Sequence, residues 1–458
     1  MNTAKISTRW MMLVIAGSAL TVGCSVTKPA GKANADLLLK DSAISTGHIG
    51  ICIYEPATRK YWYQYDDEKY FVPASNTKLF TLYAGMKYLG DSLTGLQYSL
   101  QKDTVFALPA GDPSFLHPDF KNQPVIEKLQ SLKMPVKFIN SPFDAEKFGA
   151  GWAWDDATDD YMVERNALPV YGNLMKVGLS NTRILNAAQT ADSITYRTIS
   201  LISPPKGLWL SHNFKIDDKY GSPQITRHAN DNDIEVAFAD KNFDVQKQFP
   251  IVTNGIKTAL QILHANYSWI QAEAGDYAFP PASFQTIRSQ PVDSLFKPMM
   301  HRSDNFFAEQ TLLMVSRQRL GTMNDKLIID TLLKSDLKDL PQKPKWVDGC
   351  GLSRYNLATP QSFVYILNKM KDEFGWERMK EILPTGGEGT LRSYFKKDSG
   401  YIYAKTGTLS NHCALSGYLI TRKGKLLIFS ILANHYQTGA TPIRQATERF
   451  LEALREEN

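Results

Sequence analysis

The segment Phe71 to Gly90, FVPASNTKLFTLYAGMKYLG, passes from an extended stretch containing Pro73 into an apolar helix. Ser75 stands at the predicted start of this helix, and Lys78 follows three residues later. Residues i and i+3 share one face of a helix, so the two side chains are expected to meet. The pattern suits two roles: a helix cap that happens to end in lysine, or a nucleophile with its base.

Ser75 and Lys78 would make an activated nucleophile without a histidine. The N-terminal end of a helix stabilises negative charge that develops on a serine oxygen. A lysine that is desolvated near other cationic groups loses its proton and acts as a base. The chain has only eight His and no Gly-x-Ser-x-Gly elbow, so the sequence does not indicate a histidine-based serine hydrolase.

Ser-x-x-Lys alone is a weak signal, because it occurs seven times in this chain. Of these seven serines, Ser75 is the one that follows a predicted pair of strands and opens a long helix with an apolar face, to which Leu79, Leu82, Ala84 and Met86 contribute. The seven matches begin at Ser25, Ser75, Ser99, Ser203, Ser294, Ser335 and Ser393.

A second motif, Ser303-Asp304-Asn305, places a hydroxyl and a carboxamide together. Such a pair can shuttle a proton to a leaving amine and hold a substrate amide. The pattern Ser-x-Asn recurs at Ser211, so it is also weak alone. For Asp304, a structural hydrogen bond and a part in catalysis are both open.

The third motif, Lys405-Thr406-Gly407, occurs once and lies on a predicted edge strand. Lysine and threonine there can bind a carboxylate, and glycine lets a substrate backbone come close. An extended peptide could pair with such an edge. The backbone N–H of Thr408 could join that of Ser75 in an oxyanion hole. The order of the three motifs is that of class A β-lactamases and penicillin-binding proteins.

Composition limits the class of protein. The 458 residues are 43% hydrophobic and 21% charged, which is typical of a globular chain of two or three domains. The formal net charge is +6, or +4 without Lys5 and Arg9, and no dense basic cluster occurs. The sequence therefore does not indicate a nucleic-acid partner.

Residues 1–24 predict an export signal. Lys5 and Arg9 precede the apolar run MMLVIAGSALTVG, which is too short for a confident membrane span. The Gly-Cys junction that follows resembles a bacterial lipobox, although Thr21 stands where leucine is usual. We expect lipidation of Cys24; cleavage nearby and an uncleaved anchor are the alternatives.

Export would place the remaining cysteines, Cys52, Cys350 and Cys413, where disulfides can form. An odd number cannot pair fully. Their apolar or glycine-rich surroundings predict buried free thiols, and their spacing suits no metal site.

The two ends of the chain predict one sheet. Residues 48–71 indicate two strands, and residues 400–434 indicate three more. A final amphipathic helix is expected to begin at Thr441 and Pro442 and to pack on that sheet. Its predicted apolar face consists of Ile443, Ala446, Phe450, Leu451 and Leu454. The middle of the chain has short strand-like runs broken by turns, which indicates a mainly β insertion.

These motifs, together with three further segments, make the chain resemble the D-alanyl-D-alanine carboxypeptidase/endopeptidases of peptidase family S13, the PBP4-type class C low-molecular-mass penicillin-binding proteins. The resemblance covers nearly all of the mature chain. Members commonly have serine where this chain has Cys350, and often aspartate in place of Glu388; neither change is expected to touch a catalytic group. The further segments are GDPSF (111–115), VDGCGLSRYNLATP (347–360) and LPTGGEGTLR (383–392).

The spacing favours this family over its relatives. Ser75 and Ser303 are 228 residues apart, a much longer gap than in simple β-lactamases. The resemblance implies an α+β, multidomain chain: a β-lactamase/transpeptidase-like domain, with an antiparallel sheet flanked by helices, that carries a large, mainly β insertion. The expected divisions are residues 32–90, 91–285 and 286–458.

The resemblance also implies the chemistry. Ser75 would attack the carbonyl between the two D-alanines of a peptidoglycan stem peptide, and Lys78 would take its proton. Ser303 and Lys405 would relay a proton to the leaving amine. No metal or cofactor is implied, β-lactam antibiotics would inhibit, and the enzyme would be periplasmic. The implied substrate-binding residues are Asn305, Lys405, Thr406, Gly407 and Thr408.

Two other functions stay open. A serine β-lactamase would share the site but needs a carboxylate and a water for fast deacylation, and Glu388 is near Lys405 in sequence. A catalytically silent envelope-binding protein is less favoured because all three motifs are intact. In residues 151–173, exposed aromatics beside acids suit sugar or protein binding, although packing within the insertion is the simpler interpretation.

Overall fold

The computed structural model describes residues 32–184, 196–202, 205–208, 212–216, 219, 222–239 and 243–458. The expected signal segment and Cys24 lie outside the described residues. In the part of the chain that is described, no helix has the length and apolar character needed to cross a membrane.

The helices are α1 Lys32–Leu39, α2 Lys78–Tyr88, α3 Pro124–Ser131, α4 Lys257–Asn266, α5 Val292–His301, α6 Asn305–Leu320, α7 Asp325–Lys334, α8 Pro360–Phe374, α9 Trp376–Ile382 and α10 Ala440–Glu456. The strands are β1 His48–Glu55, β2 Lys60–Tyr65, β3 Ser92–Gln101, β4 Thr104–Pro109, β5 Val136–Ile139, β6 Leu174–Ile184, β7 Tyr196–Ile202, β8 His212–Ile216, β9 Gln224–Arg227, β10 Ile234–Phe238, β11 Phe243–Pro250, β12 Ile270–Gly275, β13 Gln285–Pro291, β14 Ile402–Leu409, β15 His412–Ile420 and β16 Leu426–Asn434.

One antiparallel sheet joins the two ends of the chain, in the order β14-β15-β16-β1-β2. Successive side chains of a strand point to opposite faces of the sheet, so each strand can contribute side chains to a hydrophobic core on either face. On β16, Ile428 and Leu432 pack with α2, α6 and α8, whereas Phe429 and Ile431 pack with α1 and α10. The predicted antiparallel sheet flanked by helices is confirmed, and β14 lies at its edge as expected.

The C-terminal helix α10 covers one face of this sheet. Its predicted apolar residues are all buried against the sheet and α1: Ile443, Ala446, Phe450, Leu451 and Leu454. The prediction that Thr441 caps the helix is wrong, because the helix begins at Ala440 after Gly439 and has no side-chain cap.

The insertion between α2 and α5 is mainly β, as predicted. It contains a five-stranded sheet, β12-β5-β4-β3-β13, and two three-stranded sheets, β11-β6-β7 and β8-β10-β9. Strand β13 lies antiparallel to β3 and leads directly into α5, so the insertion leaves and rejoins the helical layer at one place. The expected division points near residues 90 and 285 stay a prediction.

Helix α2 is the centre of the helical layer. Its residues 78–86 are all buried, and it packs against α6 and α8. The residues predicted to bury its apolar face do so: Leu79, Leu82, Ala84 and Met86. The nucleophile motif therefore lies inside the core, where its polar groups must find partners within the protein.

Candidate active site

Ser75 lies in a short 3-10 turn, Ala74–Thr77, which continues directly into α2 at Lys78. Neither the turn nor the helix has a side-chain cap, so Ser75 does not act as one. Its Oγ instead lies 3.0 Å from Lys78 Nζ. This geometry favours the nucleophile interpretation over the helix cap.

Lys78 is fully buried and its Nζ has three acceptors. Besides Ser75 Oγ, it donates to Asn305 Oδ1 at 2.7 Å and to the Cys350 carbonyl at 2.7 Å. Burial lowers the pKa of Lys78 from its ordinary value. A neutral amine would keep two N–H bonds, to Asn305 and Cys350, and its lone pair would face the hydroxyl of Ser75. The arrangement is that of a base placed to take the serine proton.

Lys405 is a second buried amine in the same site. Its Nζ donates to Ser303 Oγ at 2.8 Å and to the Thr406 carbonyl at 2.6 Å. Burial, reinforced by the charge of Lys78, holds the pKa of Lys405 well below its ordinary value. The structure thus brings the predicted shuttle, Ser303, against the predicted substrate-strand lysine.

Strand β14 approaches the turn that carries Ser75 closely enough to explain Gly407. A Cβ on Gly407 would lie 2.6 Å from the Pro73 carbonyl oxygen. Asn76 Nδ2 donates to the Lys405 carbonyl at 3.1 Å and ties the turn to the strand. Gly407 was expected to admit a substrate backbone; here it also lets the nucleophile turn dock on the strand.

The residues beside Ser303 divide into a structural one and a site residue. Asp304 caps α6 by accepting from Phe307 N at 2.9 Å, and it pairs with Arg302 at 3.2 Å. The structural alternative for Asp304 is therefore favoured. Asn305 uses Oδ1 for Lys78 and one Nδ2 hydrogen for the Tyr161 carbonyl, which leaves one amide hydrogen for a substrate.

Position 350 contacts a proposed catalytic residue, because the Cys350 carbonyl accepts from Lys78. The contact is made by the main chain and does not depend on the thiol. As predicted, Cys350 is a buried free thiol; so are Cys52 and Cys413.

Buried carboxylates hold this loop from behind. Glu309 accepts from Cys350 N at 2.7 Å and from Arg165 Nη1 at 3.0 Å, and Arg165 also donates to Asp325 at 2.8 Å. Burial raises the pKa of Glu309 to about 7. No local pattern in the sequence marks the Arg165–Glu309 pair, since its members are 144 residues apart.

Asp348 completes the support of the loop. It accepts from the backbone N–H groups of Gly351 and Ser353, at 2.8 and 2.7 Å, and from Trp152 Nε1 at 2.8 Å. Asp348 lies close enough to Glu309 and Cys350 for the three to share a metal ion. A cation there would have to displace the N–H donors that already occupy these oxygens.

Ser75 opens onto a cleft of about 400 Å³. The carboxylate proposed for fast deacylation, Glu388, is exposed and lies outside its lining. Within the described residues no carboxylate lines the cleft. Two arginines to which sequence reasoning gave no role do line it: Arg392, the last residue of the segment at 383–392, and Arg444, which no motif marks. The lining is Ser75, Ser303, Thr390, Arg392, Ser393, Tyr394, Thr406, Thr408 and Arg444.

The aromatic segment of the insertion has one partly buried tryptophan, Trp152, and two exposed aromatic side chains, Trp154 and Tyr161. Trp152 is partly buried and donates to Asp348, so it packs behind the site and not only within the insertion, which is where the simpler interpretation placed it. Trp154 is 88% exposed, and Tyr161 lines a second cleft of about 560 Å³ that Ser303 and Asn305 also line.

Comparison with known proteins shows which family the sequence matches and which solved structures share its fold. Residues 32–454 match the family model of the D-Ala-D-Ala carboxypeptidase 3 (S13) family. A D-alanyl-D-alanine carboxypeptidase from Actinomadura sp. (strain R39) is 24% identical, over 94% of this chain and 86% of that protein. The crystal structure of penicillin-binding protein 4 from Haemophilus influenzae has a TM-score of 0.71 at 19% identity, covering 92% of this chain and 99% of that one. A structure of the same protein complexed with a β-lactam has a TM-score of 0.67, at 17% identity and the same coverage.

Gly351 provides a first test of how the loop positions Ser75. Its φ is +90°, and a Cβ there would lie 2.0 Å from the Ala74 carbonyl oxygen. Gly351→Ala is expected to displace the nucleophile turn, lowering the free energy of unfolding by more than ~2 kcal/mol and the reactivity of Ser75 by more than ~10-fold. Urea unfolding and the rate of reaction with an acylating probe measure both.

Gly424→Ala is the matched control. Gly424 has a similar φ of +78°, but no atom lies within 4 Å of the position that a methyl group would take. This variant should lose only ~1 kcal/mol, from backbone strain, and no reactivity. Equal effects of the two substitutions would contradict the steric argument.

Glu309 makes stability depend on pH. Its pKa is raised from 4.5 to about 7, so the folded state binds a proton that the unfolded state has released. The contribution of this group to stability is full below about pH 4.5 and is lost as pH rises through about 7. Wild type should therefore lose up to ~3 kcal/mol relative to Glu309→Gln between pH 5 and 8.

Urea unfolding across this pH range measures the difference between the two proteins. Glu381→Gln, which removes an exposed carboxylate, controls for the loss of one charge. If wild type and Glu309→Gln kept a constant difference from pH 5 to 8, the linkage would be absent.

Proposed function

The chain belongs to the D-Ala-D-Ala carboxypeptidase 3 (S13) family, and we propose that it hydrolyses the D-Ala-D-Ala bond of peptidoglycan stem peptides through an acyl-enzyme on Ser75. It is a serine-type peptidase that binds penicillins. The assignment of Ser75 and Lys78 rests on the position of Lys78, which is buried against Ser75 Oγ, Asn305 and the Cys350 carbonyl.

The acylation step moves two protons. Ser75 Oγ attacks the carbonyl carbon of the penultimate D-Ala as Lys78 accepts its proton. The C–N bond breaks, and the leaving amine takes a proton from the hydroxyl of Ser303, which Lys405 replaces across 2.8 Å. Terminal D-Ala departs as a neutral amine, because its nitrogen has gained that one proton, and the acyl group stays on Ser75 as an ester.

Deacylation restores both amines. Water attacks the ester carbon and gives a proton, through Ser303, to Lys405. Ser75 Oγ leaves and recovers its proton from Lys78, so that one water is consumed and no net proton is lost. The lowered pKa values of both lysines suit this exchange, because neither amine is held permanently charged.

The edge of the sheet supports the substrate assignment. Strand β14 is the edge strand, so an extended peptide can add to it by backbone hydrogen bonds. Thr406 and Thr408 line the cleft beside Ser75 and would bind the terminal carboxylate. The free amide hydrogen of Asn305 would hold a substrate carbonyl. The oxyanion hole from the N–H groups of Ser75 and Thr408 stays a prediction.

The same bond type occurs in cross-links, where the amine of a second stem peptide replaces that of D-Ala. We therefore include endopeptidase activity on D-Ala cross-links in the proposal. The β-lactam complex of the H. influenzae relative supports binding of β-lactams. The β-lactamase alternative is less favoured, because the described lining of the cleft has no carboxylate to activate a water.

Intact mass after mixing with a penicillin tests this proposal. We expect a long-lived adduct of one penicillin per chain that maps to Ser75, and none in Ser75→Ala. Ser335→Ala is the matched control, because Ser335 begins another Ser-x-x-Lys match but lies exposed after α7. Release of D-Ala from a peptide ending in D-Ala-D-Ala should depend on Ser75 in the same way.

Two outcomes would contradict it. Destruction of the drug over many turnovers with no adduct would favour a β-lactamase. A well-folded chain that shows neither adduct nor turnover would favour a silent envelope-binding protein.

Export and lipidation form a separate proposal, supported by the sequence of residues 1–24 and by a cell-wall substrate. When the full chain is made in a bacterium, the mature protein should begin at Cys24, carry a lipid and partition into detergent. Cys24→Ala should abolish the lipid and that partition. An unmodified protein starting elsewhere would contradict lipidation.

A further inference from the structure

The cleft above Ser75 carries two arginines to which neither the motifs nor the proposed mechanism gives a role. We infer that Arg444, assisted by Arg392, recognises the negatively charged α-carboxylate of the departing D-amino acid. This makes Arg444 a specificity-determining residue for a free carboxyl end. The inference rests on the proposed function.

Arg444 is held in place by strand β14, the edge strand to which a substrate peptide would add. Its Nη2 donates to Thr408 Oγ1 at 2.5 Å, and its guanidinium group lies 5.8 Å from the ring centre of Tyr394. A threonine hydroxyl has a single proton. Because Thr408 Oγ1 already accepts from Arg444, that proton is left to donate to another acceptor. Arg444 thereby turns Thr408 into a donor, which suits an anion.

The charge of the cleft points the same way. In the described part of the lining, the charged side chains are Arg392 and Arg444, and no acid accompanies them. No ion pair or hydrogen bond of the Arg392 side chain is found among the described residues, and that side chain is exposed. Guanidinium groups bind carboxylates strongly and often in pairs of parallel hydrogen bonds. An anionic ligand would complete the cleft.

The position fits the leaving group. The α-carboxylate carbon of the departing residue is two bonds from the amide nitrogen that Ser303 would protonate. A group that binds this carboxylate must line the same small cleft as Ser75 and Ser303, and Arg444 does. Hydroxyl groups alone, such as those of Thr406 and Thr408, can also donate to the oxygen of a neutral amide. Discrimination between a carboxylate and a carboxamide therefore needs the fixed charge.

The experiment compares two peptides that differ only at this group: one ends in D-Ala-D-Ala with a free carboxylate, and the other is its C-terminal amide. We expect wild type to prefer the free acid in kcat/KM. Arg444→Gln should lose ~10- to 100-fold on the acid, the range for a charged hydrogen bond, and less than ~3-fold on the amide. Arg444→Lys keeps the charge but not the paired N–H donors of a guanidinium group. It should therefore recover part of the loss in kcat/KM on the acid.

Two further variants separate contact from long-range attraction. Arg392→Gln should lose several-fold on the acid at low salt, and this loss should shrink at high salt, because exposed charges are screened. Arg449→Gln is the matched control: Arg449 is on the same helix α10 and pairs with Asp41 at 2.6 Å. It should change neither peptide's kcat/KM.

The inference would be overturned if Arg444→Gln lost the same factor on both peptides, since that result indicates only a structural role. It would be overturned without any variant if wild type hydrolysed acid and amide equally well. A penicillin adduct that still forms on Ser75 in Arg444→Gln, with an unchanged melting temperature, would show that the proposed function stands apart from this result. A wild-type chain that never forms an acyl-enzyme would contradict both the proposed function and this inference.

Discussion

A buried amine that needs three hydrogen-bond partners is the constraint on which the rest of the site depends. The partners of Lys78 come from its own turn, from α6 and from the loop at Cys350, and the last two lie 227 and 272 residues away in sequence. Leaving a buried amine without partners would cost several kcal/mol, so the fold is stable only when these segments meet. The reactive geometry of Ser75 and the packing of α2 are therefore parts of one condition.

The partners of Lys78 are neutral, and this matters for chemistry. A carboxylate in direct contact would stabilise the ammonium form and remove the base. Glu309 and Asp348 instead bind the N–H groups of the loop whose Cys350 carbonyl faces Lys78. The carboxylates thus supply rigidity through one layer of peptide groups, while the amine itself keeps a lowered pKa. Arg165 balances the acids on the side away from the cleft.

The parts of the structure that sequence reasoning could predict are those with a local pattern. Alternation placed the strands of the main sheet, helical periodicity placed the buried face of α10, and motif context singled out Ser75 among seven matches. The Arg165–Glu309 pair was not predictable, because nothing near either residue marks a partner 144 positions away. Arg444 was missed for the same reason: its partner Thr408 is on another element, 36 residues earlier. The cap at Thr441 was misplaced because Thr441 and Pro442 are compatible with several positions in a first turn.

The same contacts bear on how long an acyl-enzyme lasts. When a linear peptide is cleaved, the D-amino acid carries its carboxylate out of the cleft and leaves room near Ser303 for a water. The amide of a β-lactam is part of a ring, so its amine and its carboxylate stay attached to the acyl group after the bond breaks. Thr408 and Arg444 would then continue to hold that carboxylate where the water has to enter. Since the described lining of this cleft offers no acid to activate a water, the cleft would account both for turnover of the peptide and for retention of the drug.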